Sequence, residues 1–272
     1  MKPQTAQNRV TLSIENHIAT VTLNRPAKYN GLDLETLKAL VKTARVLRNN
    51  RDVRVVILRG AGKAFCAGLD FATVTRTPLK MVLAFSKFGV KKTNLFQKAC
   101  WVWRQLPVPV IAELHGYCYG GGLQLALAAD FRIAAPACEF SVMEIKWGLI
   151  PDMTGTVTLR ELLPLDVAKE LTMTGRRFDA REALDLHLVT RLADDPHTAA
   201  LALAETLLAR SPDAVSATKA LFQRTWNAPE EQALDLESRL QFKLLRGRNQ
   251  REAMAANFKK RTATFLPRQR NN

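Results

Sequence analysis

Short apolar runs alternate with amphipathic stretches along the first half of the chain. Two apolar runs, at 10–14 and 18–23, are separated by the polar triplet Glu15-Asn16-His17, and this pattern predicts a β-hairpin. Apolar residues at helical spacing predict a helix over 34–49, with Asp33 placed to cap its first turn. The apolar stripe consists of Leu34, Leu37, Val41, Ala44 and Leu47. The continuous apolar run VRVVILRG then predicts a buried strand over 53–60.

The alternation continues through the middle of the chain. The pattern predicts a loop with several glycines at 62–70 and a helix that ends near residue 105. A strand predicted over 108–114 runs directly into three glycines at 120–122, which begin a helix to residue 129. Two further strands are predicted at 131–135 and 140–142. Beyond Gly155 the pattern is largely helical. Strands that alternate with helices indicate an α/β fold. An amphipathic, basic C-terminal stretch predicts a boundary between a core over 1–194 and a helical oligomerisation region over 195–272.

Composition narrows the class of protein. Hydrophobic residues make up 47% of the 272 residues, which is enough for a packed core. The polar stretch 1–8 lacks the apolar segment of a signal peptide, and no apolar run approaches the roughly 20 residues of a membrane span. The four cysteines form neither a CxxC pair nor a cluster with histidine. We therefore expect a cytoplasmic protein with reduced thiols, no membrane insertion and no metal site.

The net charge of +15 favours a partner that carries negative charge, such as a phosphate-bearing ligand, a nucleic acid or an anionic membrane. A solvated surface rich in lysine and arginine gives the same total, so the charge alone selects no partner. Lys38, Lys42 and Arg45 lie on one flank of the helix predicted over 34–49. Such a row is usually the solvent-facing side of an amphipathic helix, and no RNA-recognition motif accompanies it. RNA binding is kept as a minor alternative.

Two glycine-containing turns each follow a predicted strand. In PVPVIAELHGYCYGGGLQLALAAD a strand enters a helix through glycines, which leaves backbone N–H groups unpaired at the helix N-terminus. The segment GKAFCAGLD offers a second such turn. Unpaired N–H groups attract negative charge, and two of them from two loops can bind one oxygen as an oxyanion hole. A tight turn or close packing explains either glycine segment taken alone.

Several segments together resemble the crotonase, or enoyl-CoA hydratase/isomerase, superfamily over nearly the whole chain. They are VTLNRPAKYNGLD, GKAFCAGLD, PVPVIAELHGYCYGGGLQLALAADFRIAA, FSVMEIKWGLIPDMTGT, TGRRFDAREALDLHLV and REAMAANFKKR. The resemblance implies an α/β fold built as a spiral of ββα turns, with C-terminal helices that form a homotrimer or a dimer of trimers. It also implies an enzyme that acts on acyl-CoA thioesters without a tightly bound cofactor. The backbone N–H groups of Leu69 and Gly121 would bind the thioester oxygen as it gains negative charge in an enolate.

The resemblance further implies contacts with coenzyme A at four positions. Lys28 and Lys260 match positions that approach its phosphates, although a solvated lysine is an alternative at both. Ala64 and Cys66 match positions that hold its adenine end through backbone groups. Cys66 is not expected to be a nucleophile, because no histidine lies near it in sequence.

The acidic groups of the site depart from the pattern of a hydratase. Hydratases of this superfamily resemble one another in having two glutamates that orient one water. The position on the helix after the glycine triplet holds Gln124, and an amide is no general base near neutral pH. The catalytic-loop position holds Glu144, and Asp152 follows at a spacing that resembles the dienoyl-CoA isomerase branch. Asp152 is either a second acid or a turn residue after Pro151, and Gln124 orients substrate or a neighbouring acid, or only packs.

These residues favour an allylic proton shift in an enoyl- or dienoyl-CoA. Glu144 would remove a proton next to the activated system, and Glu144 or Asp152 would return a proton to another carbon. Two alternatives stay open, namely hydration or dehydration, and a non-catalytic member that binds acyl-CoA. Three tryptophans are candidates for an acyl pocket, with core packing as the default: Trp101, Trp103 and Trp147.

Overall fold

The computed structural model describes residues 8–74, 78–87 and 92–269, and within them the strands form two sheets. The strands are β1 Val10–Glu15, β2 Ile18–Leu23, β3 Val55–Gly60, β4 Val110–Leu114, β5 Tyr117–Tyr119, β6 Phe131–Ala134, β7 Glu139–Ser141, β8 Phe178–Asp179 and β9 Arg191–Leu192. The larger sheet has the order β1-β2-β3-β4-β6-β9, and the smaller has the order β5-β7-β8. The larger sheet is parallel except for the antiparallel pair β1 and β2.

Helices connect the strands and make up most of the C-terminal part. They are α1 Leu34–Asn49, α2 Phe71–Val74, α3 Pro78–Phe85, α4 Leu95–Arg104, α5 Gly121–Leu127, α6 Gly155–Leu159, α7 Leu165–Thr174, α8 Ala180–Asp185, α9 Pro196–Leu208, α10 Pro212–Thr225, α11 Glu230–Leu245 and α12 Arg248–Phe258, with short 3-10 helices at Pro26–Lys28 and Met143–Trp147. The α/β prediction is confirmed. No helix in the described parts of the chain combines the length and the hydrophobicity of a bilayer span.

The N-terminal hairpin and α1 form as the sequence predicts. Strands β1 and β2 are joined by Asn16 and His17, both at positive φ, which is the backbone of a tight hairpin turn. The Asp33 carboxylate accepts hydrogen bonds from the N–H and the hydroxyl of Thr36, both at 2.7 Å, and so caps α1. The predicted apolar stripe of α1 is buried at Leu37, Val41, Ala44 and Leu47.

The larger sheet is covered on both faces, which explains the continuous apolar run of β3. Val56 and Leu58 face the main core with α1, α4 and α5, whereas Val55 and Ile57 pack against Ala200 and other residues of α9. Helix α9 is the first helix after the predicted boundary between 194 and 195. That boundary stays a prediction, but α9 itself packs on the sheet of the preceding segment.

The chain does not pass directly from β4 into the glycine triplet, so that prediction is wrong. Gly116 turns the chain at a φ of +60°, and a Cβ there would overlap the carbonyl oxygen of Lys63. The chain then enters β5, which pairs in parallel with β7 in the smaller sheet. The three glycines consequently begin where the two sheets meet, beside the loop at 62–70.

Candidate active site

The loop at 62–70 lies directly against the start of α5. The Cys66 N–H donates to the Tyr117 carbonyl and the Tyr119 N–H donates to the Cys66 carbonyl, each at 3.0 Å. A Cβ at Gly122 would lie 2.7 Å from the Cβ of Cys66 and 2.9 Å from its Sγ. Gly122 is therefore required by the close approach of two backbone segments, which a side chain would separate.

Two backbone N–H groups on these adjoining segments lack a backbone acceptor among the described residues. Leu32 donates to the Gly68 carbonyl at 2.8 Å and accepts from the Asp70 N–H at 3.0 Å, so the Leu69 N–H between them makes no backbone hydrogen bond with a described residue. Gly121 is the first residue of α5, where an N–H has no acceptor within the helix. A Cβ at Gly68 would lie 3.6 Å from the Gly121 nitrogen. The structure thus brings together the segments that carry the two predicted oxyanion donors.

Glu144 is a buried carboxyl group beside the glycine triplet. It lies in the 3-10 helix Met143–Trp147 with 6% of its surface exposed. A Cβ at Gly120, whose φ is +48°, would lie 3.3 Å from the Glu144 Oε1. That Oε1 accepts a hydrogen bond of 2.6 Å from Gln124 Nε2, whereas the buried Oε2 has no partner among the described residues. Burial raises the pKa of Glu144 and the charge of Asp152 raises it further, against the lowering effect of the Gln124 hydrogen bond.

Gln124 connects Glu144 to the turn that precedes α6. Its side-chain oxygen accepts hydrogen bonds from the N–H groups of Met153 at 2.7 Å and Gly155 at 2.8 Å. Two backbone donors fix the oxygen end of the amide, so the nitrogen end faces Glu144. Gln124 therefore contacts a neighbouring acid, which is one of its three predicted roles; orientation of substrate by Gln124 stays a prediction.

The turn that carries Asp152 has a strained backbone. Thr154 adopts a φ of +80°, which a β-branched residue rarely does without tertiary constraints. The flanking N–H groups of Met153 and Gly155 both point to Gln124, which supplies such a constraint. Asp152 is half-buried, and burial raises its pKa. The sequence did not reveal Met153 or Thr154 as parts of the site, because no motif encodes this backbone conformation.

The predicted coenzyme A contacts are distributed over separate surfaces. Lys28 is exposed in the 3-10 helix Pro26–Lys28, and Lys260 is exposed after α12, which packs on α10 and α11. Ala64 is buried, and its carbonyl accepts a hydrogen bond of 2.7 Å from Asn30. Burial raises the pKa of the Cys66 thiol to about 12, so this thiol stays protonated. Binding of coenzyme A by these four residues stays a prediction.

Two tryptophans differ in their environments. Trp103 is fully buried in the main core, as core packing predicts. Trp147 is 59% exposed, so the same prediction is wrong there. Its ring stacks on Phe71 with 4.4 Å between centroids, which connects the 3-10 helix of Glu144 to the segment after Leu69. Stacking at the surface explains an aromatic residue here without burial.

Comparison with known proteins extends over the length of the chain. The profile described as enoyl-CoA hydratase/isomerase matches residues 13–268. The chain is 31% identical over 254 residues to the enoyl-CoA hydratase EchA19 of Mycobacterium tuberculosis, covering 93% of this chain and 94% of that protein. It is 31% identical over 259 residues to the peroxisomal Delta(3,5)-Delta(2,4)-dienoyl-CoA isomerase of Arabidopsis thaliana, covering 92% and 93%. A crystal structure of enoyl-CoA hydratase from Bacillus anthracis matches with a TM-score of 0.87 and 30% identity, covering 95% and 99%.

We expect Glu144→Gln to change how the stability of the protein depends on pH. The pKa of Glu144 is raised in the folded state, so the wild type binds its proton more tightly when folded and loses stability as the pH rises through that raised pKa. The variant keeps an acceptor for Gln124 and has no such titration. The free energy of unfolding of the variant relative to the wild type should therefore increase between about pH 4 and about pH 7. Urea unfolding at both pH values measures it.

The exposed Glu205→Gln on α9 is the matched control for this measurement. Its stability relative to the wild type should differ little at both pH values. A pH-independent difference for Glu144→Gln would contradict a desolvated carboxyl group at position 144.

Proposed function

Because the chain belongs to the enoyl-CoA hydratase/isomerase family, whose members act on CoA thioesters, we propose that it moves a double bond within an enoyl- or dienoyl-CoA by proton transfer. The observation that carries this proposal is the 2.6 Å contact between Gln124 and Glu144. It leaves one carboxylate, rather than two, in the pair of positions 124 and 144 beside the glycine triplet. The relatives support an enzyme of the hydratase or isomerase type, and isomerisation is the finer proposal.

The proposed oxyanion hole consists of the N–H groups of Leu69 and Gly121. Neither group has a backbone acceptor among the described residues, and their segments adjoin across Gly68. Both donors are fixed by the fold, so they would bind developing charge on a thioester oxygen without rearrangement. One such donor is typically worth about 3–4 kcal/mol of transition-state stabilisation.

The proposed base is Glu144, acting through its unpartnered Oε2. The carboxylate takes a proton from a carbon next to the activated system. The electrons of that C–H bond enter the conjugated system, and negative charge collects on the thioester oxygen. Glu144 or Asp152 then returns a proton to another carbon, which forms the shifted double bond with no net gain of water. The raised pKa of Glu144 makes its carboxylate a stronger base than an exposed glutamate.

The amide at position 124 supports isomerisation over hydration. Two carboxylates separated by 2.6 Å would repel each other unless one were protonated. An amide nitrogen instead donates to Glu144 and occupies one of its oxygens, so only the other oxygen of Glu144 remains for chemistry. Hydration, the second candidate, is favoured by the names of several relatives and would require Glu144 and Asp152 to orient the water.

The proposed assembly is a homotrimer or a dimer of trimers. Large apolar side chains are exposed on the C-terminal helices, namely Leu234, Phe242, Leu245, Met254 and Phe258. Phe258 is 81% exposed, which is unfavourable for an isolated chain in water. A surface of this kind supports self-association of the region over 195–272.

The reaction can be tested by incubating the purified protein with 2-enoyl-, 3-enoyl- and 3,5-dienoyl-CoA. We expect a change in conjugation of the 3-enoyl or dienoyl substrate to be faster than addition of water to the 2-enoyl substrate. Glu144→Gln should lower turnover about 10²–10⁴-fold, because it removes the base. Its affinity for CoA should remain, because glutamine keeps the shape of the side chain and the predicted CoA contacts at Lys28, Ala64, Cys66 and Lys260 are unchanged. Faster water addition than isomerisation by the wild type would overturn the first choice, and unchanged turnover in the variant would exclude Glu144 as the base.

We expect Gln124→Glu to move the acidic limb of the isomerisation rate to higher pH. The new carboxylate would face Glu144 and raise the pKa of the pair, so the base would become deprotonated only at higher pH. A second acid beside Glu144 should also increase the ratio of hydration to isomerisation. Gln124→Met is the matched control, because it keeps the approximate shape and loses the polar contacts. It should lower kcat without increasing hydration. An unmoved limb in Gln124→Glu would contradict direct contact between these residues.

We expect Asp152→Asn to have two separable effects on the rate. Removal of its charge lowers the pKa of Glu144, so the acidic limb should move to lower pH. If Asp152 returns the proton, the plateau value of kcat should also fall by about 10²-fold or more. The exposed Asp194→Asn should leave both quantities unchanged. A shifted limb with an unchanged plateau would identify Asp152 as a turn residue with only an electrostatic effect.

A further inference from the structure

A recess of about 570 Å³ lies at the end of α1 that is remote from the candidate active site. It is lined by residues from the C-terminal end of α1, the end of α4, helix α10 and the C-terminal segment. The N-terminal end of α1 follows Leu32, which pairs with Leu69 beside the candidate oxyanion hole. Sixteen helical residues span about 24 Å, so the two places are well separated.

Basic side chains dominate the recess. Those lining it are Arg48, Arg51, Arg104, Lys219, Arg224 and Arg268. None of the residues that line it is acidic. Lys219 pairs with Asp130 at 2.7 Å and Arg104 pairs with Glu161 at 2.7 Å, both from outside the recess lining. The other four arginines make no ion pair with a carboxylate of a described residue.

Arg268 is a buried cation at the edge of the recess. It is 3% exposed, and its Nε has no hydrogen-bond partner within the described ranges. Its carbonyl accepts a hydrogen bond of 2.7 Å from Arg51 Nε, which holds two like charges close together. Burial lowers the pKa of Arg268 and the charge of Arg51 lowers it further, whereas the charge of Asp213 partly offsets both. A buried guanidinium with an unpaired donor and a neighbouring cation is costly unless an anion joins it.

The segment that carries Arg268 is held in place by specific contacts. The Gln269 N–H donates to Asp213 at 2.7 Å, and the Leu266 N–H donates to the side chain of Asn249 at 2.8 Å. The Arg268 N–H donates to the Arg51 carbonyl at 3.3 Å. The arrangement of cations is thus part of the fold rather than a property of loose side chains.

We propose that the recess binds a small anion that carries two or more phosphate groups. Guanidinium groups match phosphate oxygens with paired donors, and the unpaired Nε of Arg268 would donate to one of them. The volume of the recess falls within the range of about 300–1,000 Å³ that is usual for small-molecule sites. The site is separate from that of Glu144, and its ligand does not depend on the reaction proposed above.

Two kinds of molecule carry the phosphate groups that the recess would bind. Trp101 lines the same recess, and the Arg104 guanidinium lies 5.6 Å from its ring centroid. A nucleotide could use both the aromatic surface and the cations, whereas an inorganic or aliphatic polyphosphate would use the cations alone.

The proposal is tested by isothermal titration of the full-length protein with tripolyphosphate at about 150 mM salt, where exposed charges are largely screened. We expect saturable binding with one site per chain. The double variant Arg48→Gln and Arg224→Gln should weaken binding about tenfold or more, because each exposed arginine supplies a charge-assisted contact. The matched double variant Lys42→Gln and Arg45→Gln removes two exposed charges from α1 outside the recess. It should change the affinity less than about twofold.

Two further measurements locate and identify the ligand. Hydrogen exchange in the presence of tripolyphosphate should slow at 101–107 and 216–224 and not at 62–70. Titration with ATP distinguishes the sources: tighter binding than tripolyphosphate, with the gain lost in Trp101→Leu, indicates a nucleotide, and equal binding indicates the phosphates alone. Either result supports the site.

Three outcomes would overturn the proposal. The first is the absence of saturable binding. This result is expected if carboxylates of another copy of the chain already occupy the recess. Another is equal weakening by the two double variants, which indicates attraction to the overall charge. The third is protection confined to 62–70, which would assign the phosphates to the candidate active site.

Discussion

The side-chain amide of Gln124 holds two segments of the site in fixed positions relative to each other. Its oxygen accepts hydrogen bonds from the strained turn at Met153 and Gly155, and its nitrogen donates to Glu144. An ionised carboxylate at this position could accept from the turn but could not donate to Glu144. One choice between an amide and an acid therefore decides both where the buried carboxyl lies and how many carboxylates share the site.

The glycine triplet makes this arrangement sterically possible. A Cβ at Gly122 would lie 2.4 Å from the Cys66 carbonyl oxygen, which leaves no room for it. At Gly120 a Cβ would lie 3.3 Å from Glu144 Oε1, and the φ of +48° disfavours any side chain there. Glycine in these positions costs conformational entropy on folding. That cost is offset by the close packing of three segments, which brings unpaired N–H groups and a buried carboxyl to one place. The close contact between these backbone segments and the position of the buried carboxyl group thus depend on the same glycine triplet.

The elements that the sequence predicted well depend on local periodicity. Helix α1 follows from one apolar stripe and the capping carboxylate of Asp33, and β3 follows from a run that is buried on both faces. The features that the sequence did not predict depend on contacts between residues that are distant in sequence. Strand β5 exists because Gly116 redirects the chain toward β7, and the contacts of Gln124 require Thr154 at positive φ. Neither conformation is a property of the residues themselves, since tertiary structure selects it.

Buried polar atoms without partners indicate where the fold leaves interactions incomplete. Among the described residues, Glu144 Oε2 is such an acceptor, next to Gly120. Arg268 Nε is such a donor, in a recess that also holds Arg48, Arg51 and Arg224, which form no ion pair with a described carboxylate. Proteins pair nearly all of their buried polar groups, because an unpaired one loses its hydration without compensation. The first atom is a hydrogen-bond acceptor of an acid and the second is a donor of a cation, and they lie toward opposite ends of α1. Their partners are therefore expected to differ in kind: a carbon-bound proton at the first, and an anion at the second.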